Sequence, residues 1–132
     1  MRRSIKRVLT SSRGSAAVEF AMVAPVLLAL VMGILQLGML FYANAGLHQA
    51  VEVGARYATI YPRPSDKDIA ALVLNSGYGM QADRIERPTL RRGTVDGTAY
   101  VDIRMGYSVP LNFIFFDLGP VKLEHTRRAY QV

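Results

Sequence analysis

Residues 20–43, FAMVAPVLLALVMGILQLGMLFYA, form a run of 24 residues without a charge, in which Gln36 is the one clearly polar side chain. At about 1.5 Å of rise per residue, a helix of this length crosses a hydrocarbon core of about 30 Å with some tilt. The run predicts one transmembrane helix, and the rest of the chain is read outward from it.

Upstream the charge is one-sided. Arg2, Arg3, Lys6, Arg7 and Arg13 stand in residues 1–14 without an acid, whereas the other 11 Lys and Arg face all 10 Asp and Glu, so +5 of the net +6 belongs to this basic leader. The basicity is therefore no sign of a nucleic-acid surface. After Glu19 the next charge is Glu52. The positive-inside bias then puts the N-terminus in the cytoplasm and everything after Tyr42 across the membrane. The chain has no Cys, which excludes a disulfide framework, a thiolate metal site and a cysteine nucleophile. Its 132 residues leave room for one small domain beside the helix and none for a second, enzyme-sized one.

Downstream the helical pattern continues but becomes amphipathic. Leu47, Ala50, Val51, Gly54 and Ala58 recur at helical spacing, and His48, Gln49, Glu52, Arg56 and Thr59 take the opposite side. Glu52 precedes Arg56 by four residues, the favourable order for an intrahelical pair. One long helix is expected from about Ser15 to Ala58, in a segment 15–60 closed by Pro62 and Pro64. Within it, Ala29 and Gly33 make a small-x3-small pair that would admit another helix, and Gly38 continues the small-residue side. Pro25 is expected to kink or locally melt the helix near Ala21 and Met22.

Residues 61–132 predict a small α+β domain of one short helix and an antiparallel sheet of two to four strands. Ser65 followed by Asp68 resembles a capping box and opens a helix through Leu74 that ends near Gly77. Alternation over Val101–Val109 predicts a strand with one face on a core. A second strand begins at Val121 and runs to Tyr130, antiparallel to the first through a connection from Pro110 to Pro120. A third, near Ile85–Leu90, carries Pro88 and belongs at an edge. A domain this small, without disulfides, needs the amphipathic helix or a partner to pack on.

The search for chemistry is mostly negative. Gly77-Tyr78-Gly79-Met80-Gln81-Ala82 fits G-x-G-x-x-A but follows a helix rather than a strand, which argues against cofactor binding. His48 and His125 are isolated in sequence, with no partner at metal-ligand spacing. No Ser nucleophile has a recognisable motif, and no small-molecule substrate is implied. Arg84, Arg87, Arg91 and Arg92 lie among Asp83, Glu86 and Asp96, and read as a solvated loop rather than an anion-binding patch. The apolar stretch Leu111, Phe113, Ile114, Phe115 and Phe116 is long for an exposed turn. It reads either as core or as a docking patch for a neighbouring subunit or the outer leaflet.

Glu19 stands at the edge of the apolar run, where an unpaired carboxylate is costly. A secretory signal cut at Ala43-Asn44-Ala45, a twin-arginine signal at Arg2-Arg3 and an uncleaved signal anchor are all readings of this N-terminus. A cut between Gly14 and Ser15 gives the carboxylate a partner. The new amine is cationic at neutral pH. Glu19 would then lie about 6 Å of helical rise, one turn, inside the new terminus, favoured by the helix dipole. Paired with its own amine or a neighbouring helix's, it would act as a registry device.

This basic leader ending in Gly14, followed by small residues, Glu19-Phe20 and a long apolar helix, resembles a class III prepilin N-terminus. More closely, RGSAAVEFAMVAPVLLALVMGILQLG (13–38) with HQAVEVGARYA (48–58) resembles the TadE-like pseudopilins of the bacterial Flp (Tad) pilus system. The ending YSVPLNFIFFDLGPVKLEHTRRAYQV (107–132) is similar to that of the family as well. The resemblance implies a non-enzymatic minor pilin or pseudopilin without a cofactor, cut by a prepilin peptidase between Gly14 and Ser15. Glu19 and Phe20 would serve processing and assembly. The implied partners are other pilins, the pilus assembly platform and inner-membrane lipid, with the domain in the periplasm. The other reading is an uncleaved single-pass scaffold or adaptor of the envelope.

Overall fold

The computed structural model describes residues 12–113 and 117–131, with side chains from Gly14 onward. Helix α1 (Ser12–Ala58) is unbroken over 47 residues, about 70 Å at the usual rise. It starts before the expected Ser15, because a glycine lowers helix propensity without blocking a backbone hydrogen bond. Ala21 and Met22 are helical, so the local melting expected from Pro25 does not occur. One lost donor is outweighed by the hydrogen bonds of the surrounding apolar helix.

The end of α1 is capped from a distance. Thr59 N–H donates to Arg56 O at 3.2 Å and Ile60 N–H to Tyr57 O at 3.1 Å. The Ala58 carbonyl accepts from Gln131 Nε2 of the last strand at 2.8 Å. Pro62 and Pro64 follow and prevent continuation. Helix α2 (Asp66–Ser76) starts at the Ser65 cap, whose Oγ accepts from Asp68 N–H at 3.2 Å and donates to Asp68 Oδ2 at 2.7 Å. The expected reciprocal bond back to the cap's own N–H is thus replaced by one to its hydroxyl. A single 3-10 turn (Ala82–Arg84) leads into the sheet.

The sheet has three antiparallel strands, β1 (Ile85–Val95), β2 (Thr98–Asn112) and β3 (Asp117–Gln131), in the order β1-β2-β3. All run beyond the lengths read from alternation. Asp96 (φ 50°) and Gly97 (φ 79°) close the β1–β2 hairpin with Val95 opposite Thr98, as a two-residue primed turn requires. Arg91 and Arg92 are therefore strand residues, not a solvated loop. Pro88 lies in the register shift between Glu86 and Thr89 on edge strand β1. Pro110 and Pro120, expected to bound the β2–β3 connection, instead oppose each other within the ladder, which continues to Asn112 opposite Asp117.

Both helices lie on one face of the sheet. Leu47, Val51, Ile69, Val73, Ile103 and Met105 are fully buried between the layers. Gly46, Ala50, Gly54 and Ala58 make a stripe of small residues four apart along α1. A Cβ at Gly54 would meet Val73 Cγ2 of α2, and one at Gly46 would meet the Tyr78 backbone. The stripe is thus the groove that seats α2 and the loop after it. A second cluster of Ala43, Tyr107, Val109 and Leu111, with Leu40 and Phe113 against it, carries the contact further down α1.

Candidate functional site

The chemistry-bearing residues of α1 fall into two regions. In the first turns, Ser15 Oγ donates to Glu19 Oε1 at 3.1 Å, so the two residues share one face a turn apart. Among the described residues, Gly14 has nothing within 4 Å of where a Cβ would stand. Phe20 is 71% exposed, and the apolar side chains that follow are exposed through Leu37 and Met39. Within Gly14–Ala58 the most apolar stretch has a mean hydropathy of 2.4 and is not buried within the chain, so α1 is long and apolar enough to span a membrane.

In the second region the β2–β3 hairpin lies alongside the same apolar run. Gln36 Nε2 donates to the Asn112 carbonyl. A Cβ at Gly33 would stand 3.6 Å from Phe113 Cε1, so the glycine expected to admit a neighbouring helix meets its own chain instead. Gly38 has open space beside it among the described residues. At about 100° per residue, Gly33 and Gly38 differ by about 140° around the axis and do not form one side. Ala29 is half-buried and Pro25 exposed. Of the apolar hairpin residues, Leu111 is buried and Phe113 half-buried, as the core reading of this stretch has it. Ile114, Phe115 and Phe116 lie outside the described residues.

Above these regions, folding brings together residues that look isolated in the sequence. The rings of His48 on α1 and His125 on β3 stack with centroids 3.7 Å apart. Burial, with the nearby His48 and Arg127 and opposed by Glu52, holds the His125 pKa below its ordinary value. Glu52 pairs with Arg127 Nε of β3 at 3.2 Å rather than with Arg56 within the helix. Among the described residues no group of three His, Asp or Glu is disposed to hold a metal. Arg92 donates to Asp66 Oδ1 at 2.6 Å, Gln131 Oε1 at 3.0 Å and Pro64 O at 3.2 Å. It ties β1, β3 and the start of α2 together, so its role is internal.

The open face of the sheet is covered by cross-strand pairs. Arg128 Nε donates to Asp102 at 2.7 Å, Lys122 pairs with Glu86 at 3.2 Å and Arg104 with Glu124. The shallow depression beside them mixes both signs and selects no ion. Of the glycines in the G-x-G-x-x-A stretch, Gly79 lies against the Tyr42 ring of α1, where a Cβ would collide, and Gly77 lies against the end of Met80 and in ordinary contact range of Ala50. Their smallness serves packing rather than a phosphate loop.

No curated protein and no solved structure matches the chain significantly. The model of the TadE-like protein family matches residues 14–56, from the glycine before Ser15 to the last turn of α1, so the similarity covers this helix and not the α+β domain that follows it.

Proposed function

We propose that the chain is a minor pilin or pseudopilin of an Flp (Tad) pilus. A prepilin peptidase cuts it between Gly14 and Ser15, α1 holds it in the bacterial inner membrane, and its α+β domain lies in the periplasm. The observation that carries this reading is the hydrogen bond from Ser15 to Glu19 on the family-matched helix. Cleavage turns Ser15 into the N-terminal residue, and the carboxylate one turn away then has a cation to meet. Gly14 supports the same reading, since it costs the helix about 1 kcal/mol relative to Ala and no neighbour among the described residues needs its smallness. The protein acts without catalysis, by joining its helix to those of other pilins at the assembly platform, with Glu19 setting their register.

One observation favours the uncleaved anchor, an envelope scaffold or adaptor: α1 is helical across Gly14 and Ser15. A peptidase would have to unwind that turn. Intact mass and N-terminal sequencing of the protein from its host's membranes decides between the two. Processing predicts a start at Ser15, lost in Gly14→Ala; a wild-type start at Met1 sinks the pilin reading.

A further inference from the structure

Only part of the apolar run of α1 is clear of the protein's own domain. Among the described residues, contact begins at Gly33, which faces Phe113, and continues through Gln36 and Leu40. From Phe20 to Met32 a helix rises about 18 Å, well short of a hydrocarbon core of about 30 Å. The deficit is closed only near Leu40. If α1 spans a membrane, as proposed above, the stretch from Gly33 to Leu40 lies in lipid with the hairpin beside it.

The hairpin is built for that position. Between Arg104 and Lys122 the only charged residue is Asp117. Exposed backbone polar groups are the main obstacle to placing a hairpin in hydrocarbon, and here several are removed or satisfied. Pro110 and Pro120, opposite each other, have no N–H. The Asn112 carbonyl accepts from Gln36, which explains the one polar side chain of the apolar run. Gly119 N–H donates to Asp117 Oδ1 at 2.8 Å. Leu118 is an apolar side chain that is 65% exposed. At the level where hydrocarbon should end, Tyr42 packs on Tyr78 with ring centroids 5.2 Å apart, and Arg84 lines the same notch as Met39 and Tyr42. Tyrosine and arginine are the residues of a membrane interface. Gln36 lies about 6 Å of rise below Leu40, a depth at which an exposed carboxylate such as Asp117 still reaches the headgroups.

We infer that the far end of the β2–β3 ladder, Asn112 and Phe113 with Asp117 and Leu118, is a second membrane contact, seated in the headgroup–acyl boundary of the leaflet on the domain's side. Its ligand is lipid. The contact pins the domain against the bilayer at a fixed rotation about α1, which a single helix cannot do. It rests on the membrane-spanning role of α1, and the test separates the two.

The chain has no cysteine, so single-cysteine variants of the full chain can each carry one environment-sensitive fluorophore. Leu118→Cys reports on the far end of the ladder, Leu28→Cys on the middle of the apolar run and Thr126→Cys on the open face of the sheet. All three positions are exposed, so none removes a core side chain. The proteins are reconstituted in phosphatidylethanolamine–phosphatidylglycerol vesicles with iodide on both sides, or with lipid bearing a nitroxide near its headgroup or at its chain end. The label at Leu118 is expected to lose emission to the shallow nitroxide and not to iodide. The label at Leu28 should respond to the deep nitroxide, and that at Thr126 to iodide alone. Iodide quenching at Leu118 with Leu28 protected overturns the inference and leaves the membrane helix standing. Shielding of Leu118 from every quencher means that protein covers this end of the ladder, and overturns the lipid assignment. Iodide quenching at Leu28 removes the membrane-spanning reading and the inference together.

Discussion

Gln131 shows how much one polar side chain can organise. It is 4% exposed, donates to the last carbonyl of α1 and accepts from Arg92, which also holds Pro64 and Asp66. Replacing it with Leu leaves the Ala58 carbonyl without this partner, and Arg92 loses one acceptor. The expected loss is about 1–3 kcal/mol, the usual cost of stranding a buried polar group. Denaturant unfolding of the full chain in detergent, followed through its tyrosines, measures it. An unchanged midpoint would show that solvent replaces these bonds. The position lies one residue from the chain's end and has no periodicity of its own, so nothing local in the sequence marks it as a helix cap.

At the level of elements, the α1–β3 contact carries a pH dependence. His125 stacks on His48 where these two elements meet, and its Nε2 is buried without a hydrogen-bond partner among the described residues. Burial first, then the proximity of His48 and Arg127, lower its pKa below 6.5, and Glu52 opposes them in part. A base whose pKa is lowered on folding binds protons more readily in the unfolded chain, so acid favours unfolding. Its contribution is complete above the unfolded pKa of 6.5 and is lost as pH falls below that value. Melting temperature should therefore drop between about pH 7.5 and about pH 5.5 in the wild type. It should drop less in His125→Phe, which keeps a stacked ring without a titrating nitrogen. Equal slopes would assign the dependence to other groups. In the sequence the two histidines are 77 residues apart and looked unrelated. A three-stranded sheet folded back on α1 made them neighbours.

The molecule as a whole is a lever, with the Ser15–Glu19 pair at one end and the domain packed along the other half of the same helix. Because α1 is continuous, the position of Glu19 is rigidly related to that of the sheet. Under the proposed pilin reading, Glu19→Ala should insert in the membrane in normal amounts but fail to support pilus assembly. A carboxylate at the helix edge is dispensable for insertion and essential for pairing with a neighbour's amine. Membrane fractionation with electron microscopy of complemented cells reads both properties. Abundant normal pili from that strain would remove the registry role.

The elements that depend on near neighbours were legible in the sequence. The charge-free run 20–43, the amphipathic turns through Ala58, the Ser65 cap and the alternation over Val101–Val109 each appear in the structure where their periods put them. Two further local signals are Asp96-Gly97, which marks the β1–β2 hairpin, and the stripe Gly46, Ala50, Gly54 and Ala58, which marks the groove for α2. The sequence by itself thus determined the helices, the strands and the helix able to span a membrane, because hydrophobic period and capping are properties of adjacent residues. Only the tertiary structure decided that the hairpin lies back along that helix. The bonds Gln36–Asn112 and Gln131–Ala58 join residues 76 and 73 positions apart, and which distant groups meet depends on register and packing that no local pattern encodes.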